Sequence, residues 1–128
     1  MFFLYQALIC ILLILSPLII SFRIFKKKED PKRFMEKFCF PSKNKFVGNL
    51  IWFHGSSVGE LLSILPLVQE LEKNKSINQI LITTSTLSSA QIFKKFNFKK
   101  TVHQFFPIDS VFFSYKFLNY WKPTIAIF

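Results

Sequence analysis

At 128 residues the chain has room for one domain, and an apolar content of 51% with a mean hydropathy of +0.34 argues against a wholly water-soluble one. Its net charge of +10, carried by 15 lysines among 17 basic residues, calls for an anionic partner surface. No zinc-finger, helix-turn-helix or RNA-binding motif accompanies that charge, so nucleic acid is not an expected partner. The 18 phenylalanines, like the lysines, have A/T-rich codons and are not read as base-stacking groups. Cys10 and Cys39 form neither a disulfide framework nor a metal-type spacing and read as buried or incidental thiols.

Residues 1–22 contain no charge and are long enough to span a hydrocarbon core of about 30 Å as a helix. No base precedes this run, whereas Arg23, Lys26, Lys27 and Lys28 follow it, the reverse of a secretory signal peptide. The positive-inside rule then places the N-terminus outside and the rest in the cytoplasm, with residues 1–22 as an uncleaved anchor. Residues 23–50 carry nine basic side chains against three acidic ones, a net of +6, which suits anionic lipid headgroups. Within this basic linker (residues 23–48), residues 31–39 can form a short helix with Phe34 and Phe38 on one side, facing either a membrane surface or the domain.

From residue 49 onward, apolar runs of strand type alternate with amphipathic segments. Strands are predicted over residues 50–54, 79–84, 101–106 and 124–128, with helices over 61–72, 86–98 and 110–120. Pro66 should kink the first of these helices or mark a later start. Strands separated by helices of this length imply a parallel α/β sheet, and near-continuous apolar strands imply burial on both faces. The sheet ends on an apolar strand with no helix to cover it, so residues 49–128 read as an incomplete domain.

The first strand runs into Gly55-Ser-Ser-Val-Gly-Glu60, a tight strand-to-helix turn where ligands of open α/β sheets bind. Three readings stay open. Ser57 and Glu60 fit a capping box, in which each side chain satisfies an orphan N–H of the other's end. Gly55 to Gly59 fits the G-x-S-x-G elbow of a serine hydrolase with Ser57 as nucleophile, although no histidine follows Asp109 as that chain order requires. Alternatively, Glu60 is a general base at a helix N-terminus whose N–H groups favour anions. His54 and His103 read as packed histidines, Asp109 as a helix cap, and Trp121 as a buried helix-end aromatic.

Trp52-Phe-His-Gly-Ser-Ser-Val-Gly-Glu60, Leu65-Pro-Leu67, Ile82-Thr-Thr-Ser-Thr86, Phe106-Pro-Ile-Asp109 and Trp121-Lys-Pro123 together resemble the acceptor half of a 3-deoxy-D-manno-octulosonic acid (Kdo) transferase. The linker around Arg33, Glu36 and Lys37 is similar to an Arg/Glu-rich motif of that family. The chain departs from it at Leu87-Ser-Ser89, where a glycine-containing turn is usual, and at Lys37 and Cys39, where Arg and Gly are common.

The resemblance implies a membrane-anchored glycosyltransferase with two Rossmann-like domains facing across a cleft, the GT-B arrangement. It would move Kdo from CMP-Kdo to a lipid A precursor in lipopolysaccharide synthesis, by direct inverting attack, with no metal or other cofactor. Glu60 matches the catalytic base. Ser56, Ser57, Gly59, Thr83, Thr84, Thr86 and Arg33 are the expected acceptor contacts, with helix capping an equal alternative for the threonines. The donor half lies outside this sequence, so the chain alone is not expected to transfer Kdo. A non-catalytic module that binds acidic membrane lipid is the alternative from another class.

Overall fold

The computed structural model describes residues 1–28 and 30–128; Glu29, within the predicted basic linker, lies outside the described residues. Helix α1 (Phe2–Phe25) is followed by a short 3-10 turn (Phe34–Phe38), then β1 (Leu50–His54), α2 (Val58–Leu71), β2 (Gln79–Thr84), α3 (Leu87–Phe93), β3 (Thr101–Phe105), α4 (Val111–Trp121) and β4 (Ile125–Ile127). The four strands form one parallel sheet in the order β3-β2-β1-β4. The chain therefore moves outward from β1 to β2 and β3, then crosses back to β1's other side for β4.

Side-chain alternation along the strands builds two cores. Phe53, Ile80 and Ile82 point to one face and pack with Leu61, Leu65 and Val68 of α2, joined by Ile92 and Phe93 of α3. Leu50, Trp52 and Leu81 point to the other, where Phe117 and Trp121 of α4 cover them together with Cys39. Each fully buried Leu, Ile, Val or Phe contributes roughly 1.5–3 kcal/mol of transfer free energy. Buried Gln79 donates to the Asn44 carbonyl at 2.9 Å and accepts from the Phe46 N–H at 2.8 Å. Those two bonds stitch the linker onto the start of β2.

Strand β3 is a sheet edge, and unpaired edge groups are a liability that folded chains cover. The linker does the covering. The Glu36 carboxylate accepts from the Phe105 N–H at 2.8 Å, and Arg33 donates to the His103 carbonyl at 2.8 Å. Arg33 and Glu36 also hold each other at 2.9 and 3.0 Å, with Glu36 only 1% exposed. The predicted short helix at residues 31–39 is thus a 3-10 turn that ends at Cys39 in the left-handed region (φ 57°). Phe38 packs edge-on against Phe113 of α4 at 5.8 Å.

Several element boundaries differ from expectation. Helix α2 starts at Val58, a turn earlier than predicted, because Ser57 caps it, and it continues through Pro66 to Leu71. Helix α3 stops at Phe93 instead of reaching residue 98: successive tight turns at Lys95 and Phe96 fold Phe96 and Phe98 back onto the core. Strand β3 ends at Phe105 and β4 covers only Ile125–Ile127. Asp109 is not the cap of α4, whose N-cap is Ser110; its carboxylate instead accepts from the Tyr5 hydroxyl at 2.6 Å.

Helix α1 has 24 residues and a mean hydropathy of 2.6 over its most apolar window, long and apolar enough to cross a membrane. Most of it is exposed, with Ile9 and Ser16 buried against the domain. Between its second half and α4 runs a groove of about 570 Å³, walled by Ile20, Ile24, Phe34, Phe38 and Phe112.

Candidate functional site

Because β2 and β4 lie on opposite sides of β1, the connections diverge at the carboxyl end of β1, the kind of crevice where open α/β sheets bind ligands. Gly55 follows directly. Its N–H donates to the Thr83 carbonyl at 3.0 Å, and a Cβ there would press on Leu61 N at 3.2 Å and on Ile64 Cδ1 at 3.2 Å. Glycine lets the chain pass flat over the helix entrance. Ser57 then adopts the extended N-cap conformation, and its Oγ accepts from the Glu60 N–H at 3.3 Å.

Glu60 completes the cap in a shifted form. Its Oε2 accepts from the Ser56 N–H at 2.7 Å, one residue before the position a capping box uses. Its other oxygen, Oε1, has no hydrogen-bond partner among the described residues, and the side chain is exposed. The result is a carboxylate fixed at the positive end of α2, with one lone-pair edge turned to solvent.

Beside it stands His54, half-buried. Its Nε2 lies 3.1 Å from Ser56 Oγ and its Nδ1 lies 3.0 Å from Thr83 Oγ1. Burial lowers its pKa below 6.5, partly offset by the Thr83 backbone and the Glu60 charge, so the ring is neutral at pH 7. The Thr83 hydroxyl also accepts from Trp52 Nε1 at 2.9 Å. Phe106 lies 4.2 Å and Phe128 6.0 Å from the His54 ring centre, making an aromatic wall behind it. His54 is thus packed beside the turn, as its place one residue before Gly55 led us to expect, whereas the wall of Phe106 and Phe128 behind it is not legible in the sequence.

The other expected contacts divide into two groups. Ser56, Ser57, Gly59 and Thr86 are exposed at this end of the sheet, and beyond its own helix backbone and chain neighbours the nearest heavy atom to a Cβ on Gly59 would be Ser57 Oγ at 4.0 Å. Thr86 caps α3, accepting from the Ser89 N–H at 3.2 Å. Thr83 and Thr84 are fully buried and cannot meet an acceptor from the cleft; they brace the site from beneath. Thr84 Oγ1 lies 2.7 Å from His103 Nε2, and Arg33 Nη2 lies 3.1 Å from His103 Nδ1. Arg33 is thereby committed to the β3 edge, with β2 between that strand and β1, the strand that leads to Glu60.

No histidine contacts Ser57 among the described residues, and its Oγ serves the helix cap. The serine-hydrolase reading therefore lacks its base. Among the described residues no group of three or more His, Cys, Asp or Glu side chains is placed to hold a metal ion.

Comparison with known proteins finds similarity over nearly the whole chain. Residues 32–128 match the family described as 3-deoxy-D-manno-octulosonic-acid transferase (kdotransferase). A 3-deoxy-D-manno-octulosonic acid transferase of Rickettsia bellii is 38% identical over 125 residues, covering 98% of this chain and 30% of the relative. A probable mitochondrial one of Arabidopsis thaliana is 36% identical over 115 residues, covering 88% of this chain and 26% of the relative. The Haemophilus influenzae transferase is 29% identical over 124 residues, 91% of this chain and 28% of its own. No solved structure matches the chain. The chain thus spans less than a third of the length of these curated relatives, and it belongs to the 3-deoxy-D-manno-octulosonic acid transferase family.

Proposed function

We propose that this chain forms the membrane-anchored, acceptor-binding N-terminal part of a glycosyltransferase that moves Kdo from CMP-Kdo to a lipid A precursor. The observation that carries the reading is the Glu60 carboxylate. It is exposed, held at one oxygen by the Ser56 N–H, and set at the sheet's diverging point on the positive end of α2. The other oxygen would take the proton of an acceptor hydroxyl as that hydroxyl attacks the anomeric carbon of Kdo. CMP would leave with the electron pair of the broken C–O bond, giving inversion with no metal in the step. A positioned carboxylate base of this kind supplies about 10²–10⁴ in rate.

The strand order β3-β2-β1-β4 supports a Rossmann-like half of a GT-B enzyme, since that order opens the doubly wound pattern. The donor half would come from sequence beyond these residues. Helix α1 would anchor the enzyme in the inner membrane, with Lys26, Lys27 and Lys28 on the cytoplasmic side where anionic headgroups and acceptor phosphates lie.

The test is a chimera in which this chain replaces the matching segment of the Rickettsia bellii transferase. The chimera is expected to transfer Kdo from CMP-Kdo to a lipid A precursor in membranes. A folded chimera that leaves the precursor unglycosylated would contradict the reading.

A further inference from the structure

The Arg33–His103–Thr84 chain runs through the sheet from the linker to the floor of the site. A guanidinium has hydrogen-bond donors only. Arg33 Nη2 lies 3.1 Å from His103 Nδ1 and 2.8 Å from the His103 carbonyl, so a proton on Nδ1 would face donor against donor. The imidazole must therefore accept at Nδ1 and carry its hydrogen on Nε2. That hydrogen points at Thr84 Oγ1, 2.7 Å away. Burial and the nearby Arg33 charge push the His103 pKa down to about 3, so the ring holds one fixed tautomer, uncharged.

Thr84 is where the site's scaffold converges. Its carbonyl accepts from the Phe106 N–H at 2.9 Å, and the preceding carbonyl, of Thr83, accepts from the Gly55 N–H at 3.0 Å. The next residues, Ser85 and Thr86, are exposed beside the Glu60 turn. A hydrogen bond that fixes Thr84 thus fixes both the aromatic wall at Phe106 and the glycine on which the Glu60 turn rests.

We propose that His103 is a positioning residue of the acceptor site: Arg33 sets its tautomer, and its Nε2–H holds Thr84 and the loop after β2 in register with Glu60. The inference rests on the reading of Glu60's surroundings as the acceptor site. It also gives Arg33 a task different from the acceptor contact expected of it.

Two neutral substitutions separate the two ends of the imidazole. In His103→Gln the amide N–H₂ reaches the Nε2 position and keeps a donor for Thr84. In His103→Asn the shorter side chain keeps an acceptor for Arg33 and leaves Thr84 without its donor. In the Rickettsia bellii chimera, H103Q is expected to retain kcat within about threefold, and H103N to lose about tenfold or more, with KM for CMP-Kdo unchanged. Equal kcat in the two variants, with matching thermal midpoints, overturns the proposal.

A second measurement does not depend on the variants' folding. Imidazole ¹⁵N shifts of the full 128-residue chain in lipid nanodiscs report the tautomer directly. The proposal requires a bare Nδ1 and a protonated Nε2 at His103, and Arg33→Met should release that preference. A proton on Nδ1 in the unaltered chain overturns it. Failure of the acceptor-site reading shows elsewhere, as an active Glu60→Gln chimera, while the tautomer stays as found.

Discussion

Glu36 stands in for a missing neighbouring strand: its carboxylate takes the Phe105 N–H at 2.8 Å while clasping Arg33 at 2.9 Å. The linker between the apolar helix and the sheet is therefore part of the fold. Removing one member of a buried pair leaves the other charge unpaired, at a cost of about 3–5 kcal/mol. Glu36→Ala should lower the urea midpoint of the chain in proportion, and a fragment starting at residue 49 should fail to give a cooperative transition. An unchanged midpoint in Glu36→Ala would make the clasp a surface contact only.

The two histidines make stability depend on pH. His103 has a folded pKa of about 3 against an ordinary 6.5, and His54 is lowered as well. The unfolded chain then binds more protons as pH falls, so stability is full above about pH 6.5 and is lost toward about pH 3. The thermal midpoint should fall between about pH 7.5 and about pH 5, and His103→Gln should flatten part of that fall. A midpoint that rises on acidification over this window would reverse the sign and refute a neutral buried His103.

Much of this arrangement was readable beforehand because it rests on local chemistry. The apolar runs at residues 50–54 and 79–84 are strands, and Ser57 and Thr86 are caps, because alternation and capping act over a few residues. What stayed hidden depends on contacts across the chain. Arg33 meets His103 at a separation of 70 residues, and Thr83 and Thr84 look like cleft residues until the strands around them are in place. The early end of α3 is of the same kind: Phe96 and Phe98 gain more by packing on the core than by extending an exposed helix.

Gly59 separates stability from function. Space surrounds the position where its side chain would be, so the fold does not require glycine there. Gly59→Ala should leave the chain equally stable or gain roughly 0.5–1 kcal/mol in chemical denaturation. If the acceptor approaches the backbone at this point, the same change should raise KM for the lipid acceptor severalfold in the chimera. Unaltered acceptor kinetics would move the binding surface away from Gly59.

Cys39 is buried in the α4-side core, donates from Sγ to the Phe113 carbonyl at 3.0 Å, and has its pKa pushed up to about 11 by burial. Thiolate is the reactive form, so alkylation near neutral pH should be slow in the folded chain and rapid in urea. Fast modification of Cys39 without denaturant would show that the linker opens from α4.

Transfer by the proposed mechanism turns on Glu60, and its most direct measurement is the single-turnover rate of Kdo transfer by the Glu60→Gln chimera with saturating CMP-Kdo. The amide keeps an acceptor oxygen for the Ser56 N–H and so preserves the cap, but it cannot take the acceptor's proton. The rate is expected to fall by about 10²–10⁴ with an unchanged thermal midpoint. A rate within a few-fold of the unaltered chimera would contradict the assignment of Glu60 as the base and leave it a helix cap.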